Sequence, residues 1–122
     1  MKRLIFTPLL LIFLISCSNQ KNKIFSGEWI SYEEINNKEY PSLYAKVDFK
    51  FIDCIKNICQ YKFRIKYKDI QNIWAIEKVY CDTLEVQQIE SRSDKRLLPR
   101  RALRFDNDFD NFALRLCNKK KG

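Results

Sequence analysis

Histidine is absent from this chain, and glycine occurs only at Gly27 and Gly122. The first absence removes the side chain that most often serves as a general base, and with it the usual Ser-His-Asp triad. The second removes glycine-rich phosphate loops, which need several backbone positions without a Cβ. No Cys-x-x-Cys pair occurs, so the common spacings for zinc and thiol-redox sites are missing. Long apolar runs are lacking as well. The stretch Leu4 to Ile15 falls short of the roughly 20 residues that a spanning helix needs. Paired carboxylates remain, at Glu33-Glu34 and at Asp106, Asp108 and Asp110. Neighbours in a strand point to opposite faces, so Glu33 and Glu34 are expected to diverge. The run "DNDFD" offers oxygen ligands at alternate positions, as calcium sites do, but lacks the glycine and distal glutamate of an EF-hand loop. It reads as a solvated turn. The sequence thus predicts no catalytic residues, no metal ligands and no cofactor.

What is present is charge and aromatic surface. The 122 residues hold 23 Lys and Arg against 15 Asp and Glu, a net charge of +8, together with nine Phe, six Tyr and two Trp. That length suits one domain. In "YKFRIKYK", residues 61–68, Tyr61, Phe63, Ile65 and Tyr67 share one face, and Lys62, Arg64, Lys66 and Lys68 the other. Period two marks a half-buried strand. "AKVDFKF", residues 45–51, repeats the pattern with Ala45, Val47, Phe49 and Phe51 inward. The two are expected to form a hairpin around Cys54 to Cys59. "GEWISYEEI" opens the domain, and "IWAIEKVYC" and "LEVQQIE" supply further strands. "ALRFD" and "FALRLC" are expected to close the sheet as a last pair joined through "NDFDN". Residues 91–99 read as a basic loop with a helical turn. The expected fold is all-β, a small antiparallel barrel or sandwich of about seven strands, with no long helix.

The N-terminus reads as an address. Met1-Lys2-Arg3 is a basic head, and Leu4 to Ile15 has the length of a secretory h-region. Its end, Leu14-Ile15-Ser16-Cys17, resembles the lipobox of bacterial lipoprotein precursors. The resemblance implies cleavage before Cys17 and acylation of that residue, because two or more acyl chains hold a protein stably at a membrane. A plain signal peptide with an incidental cysteine is the competing reading. Ser18 stands where Gram-negative lipoproteins retained in the inner membrane tend to carry aspartate, which implies an outer-membrane destination facing the periplasm. The expected organisation is a signal peptide at 1–16, a lipidated Cys17 with a polar tether to residue 23, a β domain at 24–117 and a basic tail at 118–122.

Subtracting Cys17 leaves Cys54, Cys59, Cys81 and Cys117, an even set in a compartment where disulfides persist. The preferred pairing is Cys54 with Cys59 and Cys81 with Cys117; Cys59 with Cys81 and Cys54 with Cys117 is the competing scheme. Arg92, Lys95, Arg96, Arg100, Arg101 and Arg104 crowd one short region. Behind an export signal, nucleic acid is not an expected partner. The cluster is a candidate surface for an acidic envelope protein, or simply a soluble charged face. Gly27-Glu28-Trp29 resembles the Gly-x-Trp that opens lipocalin-like barrels. That resemblance implies a Trp across the closed end of a barrel, an Arg packed on it (Arg104 or Arg115 here) and a small apolar ligand. The leading expectation is a membrane-anchored, non-catalytic protein-binding module of inhibitor or immunity type. The alternatives are a lipocalin-like carrier and an accessory subunit of an envelope assembly. A core filled by Phe49, Phe51, Phe63 and Trp74 points to the binder; a lined cavity points to the carrier.

Overall fold

The computed structural model describes residues 23–121. The signal segment, Cys17 and the tether to residue 22 lie outside the described residues. The domain is an antiparallel meander of six strands, paired in chain order β1 to β6. These are β1 (Ile30–Ser31), β2 (Ala45–Ile55), β3 (Ile58–Tyr67), β4 (Ile73–Tyr80), β5 (Glu85–Ser91) and β6 (Arg101–Ala102). They are accompanied by α1 (Tyr32–Asn36) and α2 (Asn111–Lys121), the latter entered through a 3₁₀ turn at Asp108–Asp110, and Lys23 and Ile24 are helical as well. The all-β, antiparallel, disulfide-bonded fold is the one the sequence predicts. The sheet does not close into a barrel: it ends on the short edges β1 and β6, which pair only with β2 and β5.

Strands β2 and β3 form because apolar residues recur at every second position, and one register turns them all to one face, buried at Ala45, Val47, Phe49, Tyr61 and Phe63 and partly buried at Phe51 and Ile65. Val47 faces Ile65, Phe49 faces Phe63 and Phe51 faces Tyr61. The disulfide pair Cys54 and Cys59 sits directly opposite across the same hairpin. Counting back from that pair without interruption would set Lys50 opposite Phe63. A β-bulge between Phe51 and Asp53 absorbs the mismatch, and Ile52, the extra residue, is left exposed.

The first helix starts where Ser31 caps it, its hydroxyl accepting the Glu34 N–H at 3.2 Å. It stops at Asn37, whose left-handed backbone (φ 55°) suits an asparagine. Tyr32 and Ile35, one turn apart, are its buried residues. The segment "FALRLC" corrects the expectation of a closing strand, because it is the core of α2. Phe109, Phe112, Ala113, Leu116 and Cys117 follow the i, i+3, i+4, i+7, i+8 pattern of a helical stripe. All but the partly buried Phe109 are fully buried, and Arg115 between them is exposed. The alternation of Phe112, Leu114 and Leu116 with Arg115 imitates a strand over too few residues to separate the two periods. Of the "ALRFD" strand, Ala102 alone pairs, alongside Arg101. Residues 91–99 contain no helix: Ser91 to Asp94 form a bend, with the Asp94 N–H donating to Ser91 O at 3.3 Å, and further on the Leu98 N–H donates to Gln88 O at 3.0 Å.

The core lies on one face of the sheet. There α2 stacks Phe112 on Phe49, with centroids 5.3 Å apart, and sets Tyr61 edge-on to Phe112 at 5.4 Å. Phe109 fills the space between Phe49 and Phe63, at 5.3 and 5.0 Å. Such aromatic pairs contribute about 1 kcal/mol each beyond their area. The Cys81–Cys117 bond fastens the end of β4 to α2, and Asn111 Nδ2 donates to Asn36 Oδ1 at 2.6 Å, joining the two helices.

Candidate binding surface

With Tyr61, Phe63, Ala75, Glu77 and Val79 buried on the inner face, the pleat turns their neighbours to the other side. That outer face carries Lys46, Lys50, Lys62, Arg64, Lys66 and Lys78. Among the described residues no helix or strand packs over it. Register aligns its side chains in rows across the strands. Lys46 lies opposite Lys66, and Lys50 opposite Lys62. Arg64 lies between Asp48 and Trp74. Asp48 is 8% exposed because two cations close on its carboxylate, Arg64 Nε at 2.9 Å and Lys66 Nζ at 3.2 Å.

Four cations meet aromatic rings. Arg64 stacks 3.9 Å from the Trp29 centroid, and Lys50 stands 5.6 Å from the same ring. Lys62 lies 4.4 Å over Trp74, and Arg100 lies 3.6 Å over Tyr80. Each contact contributes roughly 0.5–1 kcal/mol at a surface; Arg64 also pairs with Asp48, and Arg100 lies 3.9 Å from Glu85, whereas the rings leave the charges of Lys50 and Lys62 un-neutralised. Two sequence expectations change here. Trp74 belongs to the outer face rather than the core, beside a core that does contain Phe49, Phe63 and part of Phe51. The cation on Trp29 comes from Arg64 in a central strand, not from Arg104 or Arg115.

The basic segment divides. Arg101 turns inward and grips the fully buried Asp110 with two hydrogen bonds, Nη1 to Oδ2 at 2.9 Å and Nη2 to Oδ1 at 2.8 Å. Arg104 supports the same carboxylate through its backbone N–H at 3.0 Å. Burial pushes the Asp110 carboxyl up, but the Arg101 hydrogen bonds, the Arg104 N–H and the two positive charges outweigh it and hold the group below its usual range. Arg96 is held by Asp94, and Arg92 donates to Asn72 O at 2.6 Å. Lys95 and Arg100 are exposed, and Arg100 reaches the rim of the outer face through Tyr80. So the composition-based cluster Arg92, Lys95, Arg96, Arg100, Arg101 and Arg104 is not one continuous patch.

The carboxylate pairs also separate. Glu33 and Glu34 occupy the first turn of α1, and Glu34 binds Lys23 at 2.7 Å. Asp108 pairs with Lys38, while Asp110 belongs to Arg101. Beside Asp110, Glu77 accepts the Tyr61 hydroxyl at 2.5 Å inside the core. Burial raises the Glu77 carboxyl above its ordinary value, against the opposing pull of Tyr61 and Arg101. The four paired cysteines bond as Cys54–Cys59 and Cys81–Cys117, the preferred scheme. A cleft of 620 Å³ opens at the start of β4, lined by Phe63, Trp74, Ala75, Gln88 and Arg92 among others.

The alternation in the sequence places the lysines of β2 and β3 outward but assigns them no role. The signal that singles them out is the facing of like charges, and that needs the bulge-corrected register. Searches of family models, curated proteins and solved structures find no match to this chain.

Proposed function

We propose that this chain is a lipid-anchored module of a bacterial cell envelope that binds another protein and does no chemistry of its own. One observation carries the binding part. The sheet's inner face is packed with aromatic side chains under its own helices, while the outer face displays partly exposed Trp29 and Trp74 among cations. Trp, Tyr and Arg dominate the energetics of protein interfaces, and a rigid sheet stapled by two disulfides loses little entropy on docking. The anchor rests on Leu14-Ile15-Ser16-Cys17, and the paired cysteines fit an exported chain. From Cys17 to Lys23 the chain reaches at most roughly 20 Å, which keeps the domain beside the membrane. The carrier reading draws support from the cleft near Trp74 alone.

The test is fractionation of the host expressing the full precursor or its Cys17→Ser variant, each bearing a photo-crosslinker at position 62 or at position 34. The parent is expected in the membrane fraction with a protein adduct at position 62, and the variant is expected to leave that fraction. A small apolar compound retained by the chain, with no protein adduct at either position, would replace the binder with the carrier.

A further inference from the structure

The outer face sets like charges against each other. Lys46 and Lys66 are direct cross-strand partners, and so are Lys50 and Lys62. Side chains so placed lie about 5 Å apart at Cβ, and like charges there destabilise a sheet. Asp48 relieves the first pair through Lys66. Among the described residues no carboxylate reaches Lys50 or Lys62; their ammonium groups rest over indole rings instead. A ring holds a cation in place without cancelling it. The fold therefore maintains a concentrated positive field on a rigid, uncovered surface, and an anionic partner would remove the repulsion as well as form new contacts.

Apolar groups adjoin this field. Ile55 and Ile58 face each other at the hairpin tip and are 66% and 37% exposed. They line a depression of 290 Å³ with Asp53, Lys56, Gln60 and Lys78. An apolar floor between two lysines suits an apolar side chain flanked by carboxylates. The face is not uniformly positive either, since the partly exposed Asp53, Glu85 and Glu90 interrupt it. A sulfated glycan or an anionic bilayer repels those three groups, whereas a protein can set its own cations against them.

We propose that this face is the docking surface for an acidic protein, with Trp29, Trp74 and the Ile55–Ile58 tip as apolar anchors and Lys50, Lys62 and Arg64 selecting its charge. The proposal rests on the binding-module reading and adds the surface and the chemistry of the partner. The full chain, held in neutral phosphocholine micelles, is titrated with a soluble glutamate–lysine–tyrosine copolymer of net negative charge, with dextran sulfate, and with phosphatidylglycerol added to the micelles. The indole N–H signals of Trp29 and Trp74 are followed by NMR. The copolymer is expected to move both signals and to bind more tightly than either other polyanion. Lys50→Glu and Lys62→Glu should each weaken it by about tenfold at low salt. Each also turns a like-charge pair into an opposite one, so neither should lower the melting temperature. Loss of binding therefore cannot be put down to loss of fold. Equal or tighter binding of dextran sulfate or phosphatidylglycerol, unmoved indoles, or full affinity in both variants would each overturn the assignment. A Cys17-acylated chain that captures its partner elsewhere sinks this surface and spares the anchored module. A chain with no acyl group that binds the copolymer here does the reverse.

Discussion

At Asp110 a carboxylate with no solvent exposure meets the guanidinium of Arg101 and the backbone N–H of Arg104. This contact joins β6 to the turn that launches α2. Asp110→Asn removes the charge and leaves Arg101 facing a neutral group. Arg101 keeps 44% of its side chain exposed, so water compensates in part. Urea denaturation should show a loss of about 2 kcal/mol rather than the larger cost of a sealed pair. Asp110 and the buried Glu77 also give opposite pH dependences. Asp110 has a folded pKa below its unfolded value, so its contribution is present above the usual aspartate range and lost as pH falls through the folded pKa. Glu77 is raised by burial, so its contribution is full below the usual glutamate range and lost as pH rises through the folded pKa. Glu77→Gln should therefore flatten the decline in stability as pH rises above the usual glutamate range, while leaving the acid-side loss intact. An unchanged slope on the alkaline side would contradict that assignment.

Among the elements, α2 depends most on its fastenings. The Cys81–Cys117 bond closes a separation of 36 residues and Cys54–Cys59 one of 5. Chain entropy predicts that removing the first costs about 4 kcal/mol and the second about 2 kcal/mol. Thermal unfolding of the Cys81→Ala/Cys117→Ala and Cys54→Ala/Cys59→Ala pairs should keep that order. The same helix shows where sequence reasoning ran out. Strands β2 and β3 were legible because their alternation spans many residues and ends at clear turns. In "FALRLC" six residues satisfy both periods, and only Phe109 and the polar "NKKK" beyond extend the helical one. The bulge at Ile52 was equally hidden, since it answers a conflict between a disulfide and a hydrophobic register that no single strand contains. The exposed edge of β2 carries the marks of protection: the bulge, and Lys46, Lys50 and Asp53 along a strand that β1 covers only at Phe49 and Asp48.

At the scale of the whole molecule, one sheet separates a sealed side from a displayed side. The inner residues were readable strand by strand, because burial and alternation go together. The displayed surface was not, because a local count of cations drew attention to residues 92–104. There the fold uses Arg101 for its own architecture and holds Arg96 against Asp94. Charge reversal separates these roles. Arg101→Glu should destabilise the chain by about 2 kcal/mol or more, since it sets two carboxylates together at a buried site. Lys95→Glu should change stability by less than about 0.5 kcal/mol. Equal effects in a thermal melt would show that Arg101 is as dispensable as its exposed neighbour.

An acylated Cys17 would hold this two-sided domain at a membrane through the short segment to Lys23. Intact-mass spectrometry of the protein purified from its host's membranes tests that most directly. The account predicts a chain that starts at Cys17, with acyl groups on that residue and two intact disulfides. A chain that retains Met1 and carries a free thiol at Cys17 would contradict it.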